Sequence, residues 1–315
     1  MILCVTPNTA LDKTLVVPGY GSGGVFRPQQ MVAAAGGKGM NVARVVRLLG
    51  GVPRCLGFIA GHTGALVASI AAGEGLDCVW TTLEAGETRT CTILVDPALE
   101  RTSVVNESGV RTTAADWMRL RDDLTACAAE ARTVCFCGSL PPGSPLDAFT
   151  ELLAHLASIG LAVWVDTSGA ALGAAARVPG VHLKINDEEA TELLNMPMGT
   201  SSEAAGAVRL LAKQQSAAAI ITLGKHGAVW SDGARVWHAT PPSIEAQSAV
   251  GSGDSFLAGL LVGLEAGEMP NEALRRGVAA GAANALSIGG GQFALDDFAR
   301  ILADTTLTEH SSKFA

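Results

Sequence analysis

The sequence predicts an α/β fold: a three-layer sandwich of helices on both faces of a mainly parallel central sheet. Three observations predict it. From about residue 132 onward, short apolar runs alternate with longer stretches of helical spacing, the order expected of strands joined by crossover helices. The runs are continuously apolar, so each strand reads as buried on both faces. At 315 residues and 48% hydrophobic content, the chain can bury one large core at the upper edge of single-domain size. The expectation is therefore one domain over 1–315 with a small appendage.

The elements follow in order. Residues 133–137 (TVCFC) read as a strand and 146–157 as a helix; 162–166 (AVWVD) precede an Ala-rich segment. Residues 181–184 lead to the acidic helix 187–194, and 219–223 (AIITL) follow a helix over 202–213. The last third is helical over 254–265, 271–286 and 295–302. Between about 88 and 106 the pattern changes to two strand-like runs, 90–95 and 102–106, joined by the turn residues 96–100. With the Gly-rich stretch 18–27, this hairpin forms a candidate small sheet outside the main layer, spanning about 12–28 and 86–107. It reads equally as a lid over a cleft and as an edge hairpin.

Composition excludes several function classes. A formal net charge of −8 argues against recruitment of nucleic acid or anionic lipid by bulk electrostatics. Only 4% of residues are aromatic, too few for a base-stacking platform. No apolar run reaches the ~18 residues of a membrane span, and residues 1–6 read as a strand rather than a signal peptide. The seven cysteines are scattered without a CxxC pair, as in a reduced, cytoplasmic protein whose thiols pack as small apolar groups.

Two glycine-rich turns carry the chemistry. In Val250-Gly251-Ser252-Gly253-Asp254-Ser255-Phe256 a turn opens a helix, where backbone N–H groups and the dipole favour an anion. Asp254 there reads either as a base that accepts a hydroxyl proton or as a helix cap. In Gly36-Gly37-Lys38-Gly39-Met40-Asn41 the glycines allow close backbone approach, Lys38 supplies a cation, and Asn41 can both donate and accept. A solvated turn lysine is the plainer alternative. There is no GxxxxGK[ST] loop, no HRD or DFG set, and no GxGxxG after the first strand. P-loop, protein-kinase and nicotinamide-dinucleotide readings therefore lack their motifs.

Together the two turns resemble the signatures of the ribokinase-like (PfkB) carbohydrate kinase family. The likeness extends through residues 6–14 (TPNTALDKT), 137–143 (CGSLPPG), 184–189 (KINDEE) and 222–228 (TLGKHGA), and is closest to the phosphohexose branch. It implies a ribokinase-like sandwich with a small β-sheet lid, using ATP and Mg2+, with K+ as a further candidate cation. By that resemblance Asp254 is the catalytic base, with Gly251, Ser252 and Gly253 as its anion hole; the family usually has Ala where Ser252 stands. Asp12, Gly37, Gly39, Asn41 and Ser139 would border the sugar, and Lys38, Arg89 and Arg101 would meet its phosphate. Lys184, Asn186, Thr222, Gly224, Gly227 and Asn284 would line the nucleotide side, with Asn186 and Glu189 organising magnesium.

The plain alternatives are solvated hairpin charges for Arg89 and Arg101, a first-turn helix carboxylate for Glu189 with Asn186 as its N-terminal neighbour, and a turn role for Asp12. The implied activity is phosphorylation of a phosphorylated ketohexose, fructose 1-phosphate first, then tagatose 6-phosphate and fructose 6-phosphate. A neutral-sugar kinase or a non-catalytic sugar-phosphate sensor ranks lower. The expected partners are a sugar phosphate, ATP and a second copy of the chain, with no nucleic acid and no membrane.

Overall fold

A computed structural model describes residues 1–310 apart from 100, 216 and 288; Glu100 of the expected hairpin turn thus lies outside the described residues. The large sheet contains β1 (Ile2–Thr6), β4 (Pro53–Ala60), β5 (Cys78–Leu83), β8 (Thr133–Cys137), β9 (Ala162–Asp166), β10 (Val181–Asn186), β11 (Ala219–Thr222), β12 (Ala228–Ser231), β13 (Val236–Thr240) and β14 (Thr306–Glu309). Its ten strands run in the order β14-β13-β12-β11-β10-β9-β8-β1-β4-β5. From β5 to β11 every neighbouring pair is parallel; β12, β13 and β14 add an antiparallel edge.

Successive side chains of these strands enter two separate cores, as the two-residue period of a strand requires. Leu3, Val5, Val134, Phe136, Val163 and Val165 pack against α3 (Ala114–Ala128), α4 (Leu146–Ser158), α5 (Gly169–Ala175), α6 (Asp187–Leu194) and α7 (Ser201–Gln215). Ile2, Cys4, Cys135, Cys137 and Trp164 face α1 (Lys38–Leu48), α2 (Gly61–Gly73), α8 (Ser252–Glu265), α9 (Pro270–Ala285) and α10 (Leu295–Asp304). The fold is the expected α/β/α sandwich. Cys78, Cys55, Cys4 and Cys135 stand in register across β5, β4, β1 and β8. All seven cysteines are free thiols.

α8 and α9 approach closely because their contact surface is glycine. A Cβ on Gly259 would lie 2.8 Å from the Cβ of Ala280, and one on Gly277 2.9 Å from the Phe256 carbonyl. A side chain at either would push the helices apart.

The small sheet has the order β3-β2-β6-β7, with β2 (Ala10–Val16), β3 (Gln30–Gly36), β6 (Arg89–Asp96) and β7 (Arg101–Asn106). It differs from the expectation in two ways. The Gly-rich stretch 18–27 contributes no strand; it is the loop that joins β2 to β3. Its glycines disfavour a ladder, and the further strand is instead β3, which was not expected and pairs with β2 along its whole length. Among the described residues, no helix is long and apolar enough to cross a membrane.

Candidate active site

The parallel strands β1, β8, β9, β10 and β11 end at one edge of the sheet, the edge at which open α/β sheets bind ligands. Asp166 ends β9, Asn186 ends β10 and Thr222 ends β11; Ser139 follows β8 and Asn8 follows β1. The N-termini of α1 and α8 meet there, since Asn41 Nδ2 donates to Asp254 Oδ2 at 2.9 Å.

Asp254 is the third residue of α8, not its cap. Gly251 holds the cap position at φ 77°, without a side-chain cap. The carboxyl is 5% exposed, and burial pushes its pKa up to about 6. The negative charge of Asp166 adds to that rise, while Lys38, the Asn41 amide and Lys184 oppose it. A carboxyl so poised is ionised at neutral pH and still basic enough to take a proton. The Ser252 N–H donates to the Ala249 carbonyl at 3.2 Å. The N–H groups of Gly251, Gly253 and Asp254 have no acceptor among the described residues, as expected of a helix start. The free amides are thus Gly251, Gly253 and Asp254, not the expected Gly251 to Gly253.

Two lysines converge on one buried carboxylate. Lys184 Nζ lies 2.6 Å from Asp166 Oδ2, and Lys38 Nζ 3.1 Å from Asp166 Oδ1. Burial alone would raise the Asp166 pKa; the two cations outweigh it and hold it near 2. Asp166 in turn raises the pKa of Lys38. Lys184 also presses on α8, because a Cβ on Gly253 would come within 2.9 Å of its Nζ. Cations therefore flank the free amides.

From Gly253 a cavity of about 550 Å3 runs to the turn after β11, bordered by Thr222, Gly224, Gly227, Ser252, Phe256 and Ala282 among others. Gly227 has φ 84°, and a Cβ there would overlap the Ala239 carbonyl. No other residue fits that turn.

On the other side of Asp254, the 36–41 turn joins the small sheet. α1 starts at Lys38, so Gly39 and Asn41 lie in its first turn. Asp12 packs over Gly36, and the nearby Gly37 N–H favours its ionised form. Burial raises its pKa against the pull of Arg44 and Arg89. Arg89 Nε donates to the Asn8 carbonyl at 3.1 Å, and Asn8 Nδ2 to Ser139 Oγ at 3.2 Å. Asp12, Gly37, Arg89 and Ser139 are thereby gathered on one side.

A family model for pfkB family carbohydrate kinases matches residues 8–296. The chain belongs to that family. Among relatives of this pfkB kinase, a 1-phosphofructokinase of Rhodobacter capsulatus is 34% identical over 261 residues, 82% of each chain. ATP-dependent 6-phosphofructokinase isozyme 2 of Escherichia coli (strain K12) is 28% identical over 304 residues, 96% of this chain and 98% of that one. The crystal structure of phosphofructokinase-2 from Escherichia coli in complex with substrates and products superposes with a TM-score of 0.87 at 27% identity, covering 96% of this chain and 98% of that one.

Two expected site residues of the pfkB kinase stand elsewhere. Arg101 pairs with the buried Asp96 at 3.2 Å, lies over the Tyr20 ring and donates to the Tyr20 carbonyl. It sits at the far end of the small sheet, seven register positions from Arg89, or about 20 Å. Within the chain it clamps the 18–27 loop rather than meeting the site. Asn284 is fully buried and is not among the residues that border the cavity at Gly253; it donates to the Val250 carbonyl and accepts from Ser255 Oγ and the Gly291 N–H. It holds the shape of the Gly251 turn from behind.

Asn186 and Glu189 form a reciprocal capping box on α6, with Asn186 Oδ1 and Glu189 Oε2 engaged at 2.7 and 2.9 Å. Glu189 Oε1 accepts no hydrogen bond among the described residues. No group of three or more His, Cys, Asp or Glu that could hold a metal ion occurs among them either. Sequence reasoning passed over Asp166, Asn8 and Arg44. Asp166 did carry a signal, as the charge that ends an apolar strand.

Proposed function

We propose that this kinase transfers the γ-phosphoryl group of ATP to a hydroxyl of a ketohexose that already carries a phosphate. Fructose 1-phosphate ranks first as the substrate, with tagatose 6-phosphate and fructose 6-phosphate behind it. One observation carries the reading: a buried, raised-pKa carboxyl, Asp254, stands at a helix start with free amides. The nucleotide-sized cavity lies on one side of it and the Asp12, Asn41 and Arg89 group on the other. The names of the two sequence relatives favour a phosphohexose over a neutral sugar.

In the proposed reaction the sugar lies between Asp12 and Asn41 with its phosphate toward Lys38 and Arg89. Asp254 accepts the hydroxyl proton as oxygen attacks phosphorus. The free amides at the start of α8, with Lys184, balance charge on the moving group, the main catalytic demand of phosphoryl transfer. Magnesium, when bound, neutralises the nucleotide phosphates. Asn186 and Glu189 suit it as oxygen donors acting largely through water. The small sheet serves as a lid that keeps water from accepting the phosphoryl group. Its outer strands expose Met31, Val32, Val104 and Val105, apolar surface that suits a second copy of the chain in a homodimer.

The test is a panel of free and phosphorylated hexoses with Mg-ATP, ranked by kcat/KM from ADP release. A 1-phosphorylated ketohexose is expected to lead; a free hexose ranked first would overturn the substrate assignment.

A further inference from the structure

We propose that Arg44 is a positioning residue for this transfer: it fixes the amide of Asn41 so that Asn41 always donates to Asp254. The proposal rests on the kinase reading for its consequence, though its geometry stands without it. Arg44 lies one turn after Asn41 on α1. Its guanidinium is gripped by Glu74, at the C-terminal end of α2, through Nε–Oε2 at 2.7 Å and Nη2–Oε1 at 3.0 Å. Nη2 also donates to the Ala35 carbonyl, next to the 36–41 turn. The remaining arm, Nη1, donates to Asn41 Oδ1 at 3.1 Å.

A guanidinium has donors and no acceptor, so only the oxygen of Asn41 can face it. The amide nitrogen must then face Asp254, as it does at 2.9 Å. One carboxylate oxygen, Oδ2, is thereby occupied, and Oδ1 is left to take the hydroxyl proton. Without Arg44 the amide is free to turn over. Its oxygen would then repel the ionised carboxylate and accept from the protonated one, which favours the form that cannot act as a base. Asp166 from β9, Lys38 from α1, Lys184 from β10 and Cys137 from β8 also face Asp254. None of the four hydrogen-bonds to Arg44.

A through-space charge effect and a lost clamp predict different signs. Arg44→Met removes a positive charge and Glu74→Gln a negative one, so bulk electrostatics would move Asp254 in opposite directions. Loss of the clamp moves it upward in both.

The experiment is a carboxyl-carbon NMR titration of aspartate-labelled protein without substrates, the Asp254 signal being assigned by its absence from Asp254→Asn. Arg44→Met is expected to raise the Asp254 midpoint by about one pH unit. Glu74→Gln should raise it by less, and Arg44→Lys by an intermediate amount. In turnover, Arg44→Met should lower kcat about twofold at pH 7 and about tenfold below pH 6, recover it at higher pH, and leave KM for ATP unchanged. A merely structural arginine would lower the melting temperature and leave midpoint and pH limb in place. An unmoved midpoint in Arg44→Met, or a downward shift in Glu74→Gln, overturns the proposal. Should Arg44→Met fail to fold, Arg44→Lys and Glu74→Gln decide it by the same criteria. Absence of phosphoryl transfer by the unmodified protein would sink the kinase reading alone, since the titration needs no turnover.

Discussion

Asp254 shows what a buried carboxyl costs its own fold. Burial lifts its pKa from the ordinary 3.8 to about 6. Between those values the folded protein binds more protons at this site than the unfolded chain. The contribution of Asp254 to stability is therefore full below about pH 4 and is lost as pH rises through 6. Asp254→Asn is expected to gain stability relative to the unmodified protein by about 3 kcal/mol between pH 4 and 7, read from urea melts at each pH. In the unmodified enzyme, kcat/KM should fall about tenfold per pH unit below pH 6; a limb near pH 4 would contradict the burial account. The two arginines separate as well. Arg89→Ala should raise KM for the sugar phosphate about tenfold or more with ATP unaffected, whereas Arg101→Ala should change it less. Equal effects in kinetic assays would return Arg101 to the site. Asp254 was legible in the sequence because a glycine turn and an amphipathic run frame it. Arg44 was not, because its meaning lies in partners, Glu74 and Asn41, that only folding brings to the two ends of one guanidinium.

The elements place these residues by close approach. Glycines in α8 and α9 bring the helices together, and Asn284 ties the Gly251 turn to α9, so the start of α8 is held from behind. Lys184 Nζ lies close to it on the other side, at Gly253. Gly253→Ala would set a methyl carbon against Lys184 Nζ and displace that cation from Asp166. A rise in KM for ATP of about tenfold, or about 1.4 kcal/mol, is expected with little loss of melting temperature. Unchanged ATP kinetics would remove Lys184 from the nucleotide side. The parallel strands were readable because burial on both faces demands continuous apolar runs. The antiparallel edge formed by β12, β13 and β14 was not, since polar residues break the apolar runs of β13 (VWHAT) and β14 (TLTE). The strand role of β3 was missed for another reason: its run of alanines has weak strand character and gains its ladder from β2.

At the scale of the whole molecule, a chain of net charge −8 directs Lys38, Lys184, Arg44 and Arg89 toward one edge of its sheet. An anionic substrate thus meets local cations on an acidic protein, and bulk charge foretold only what the surface does not bind. The three-layer sandwich and its two glycine turns could be read from the sequence because each depends on local spacing. The lysine pair on Asp166 and the amide set at the start of α8 depend on which strands and helices become neighbours, and spacing alone does not carry that. The most direct measurement compares single-turnover phosphoryl transfer with calorimetric ATP affinity in Asp254→Asn. A loss of about a thousandfold in transfer, with ATP affinity kept within about threefold, is the expected result. Transfer within about tenfold of the unmodified protein would show that the proton goes to some other group.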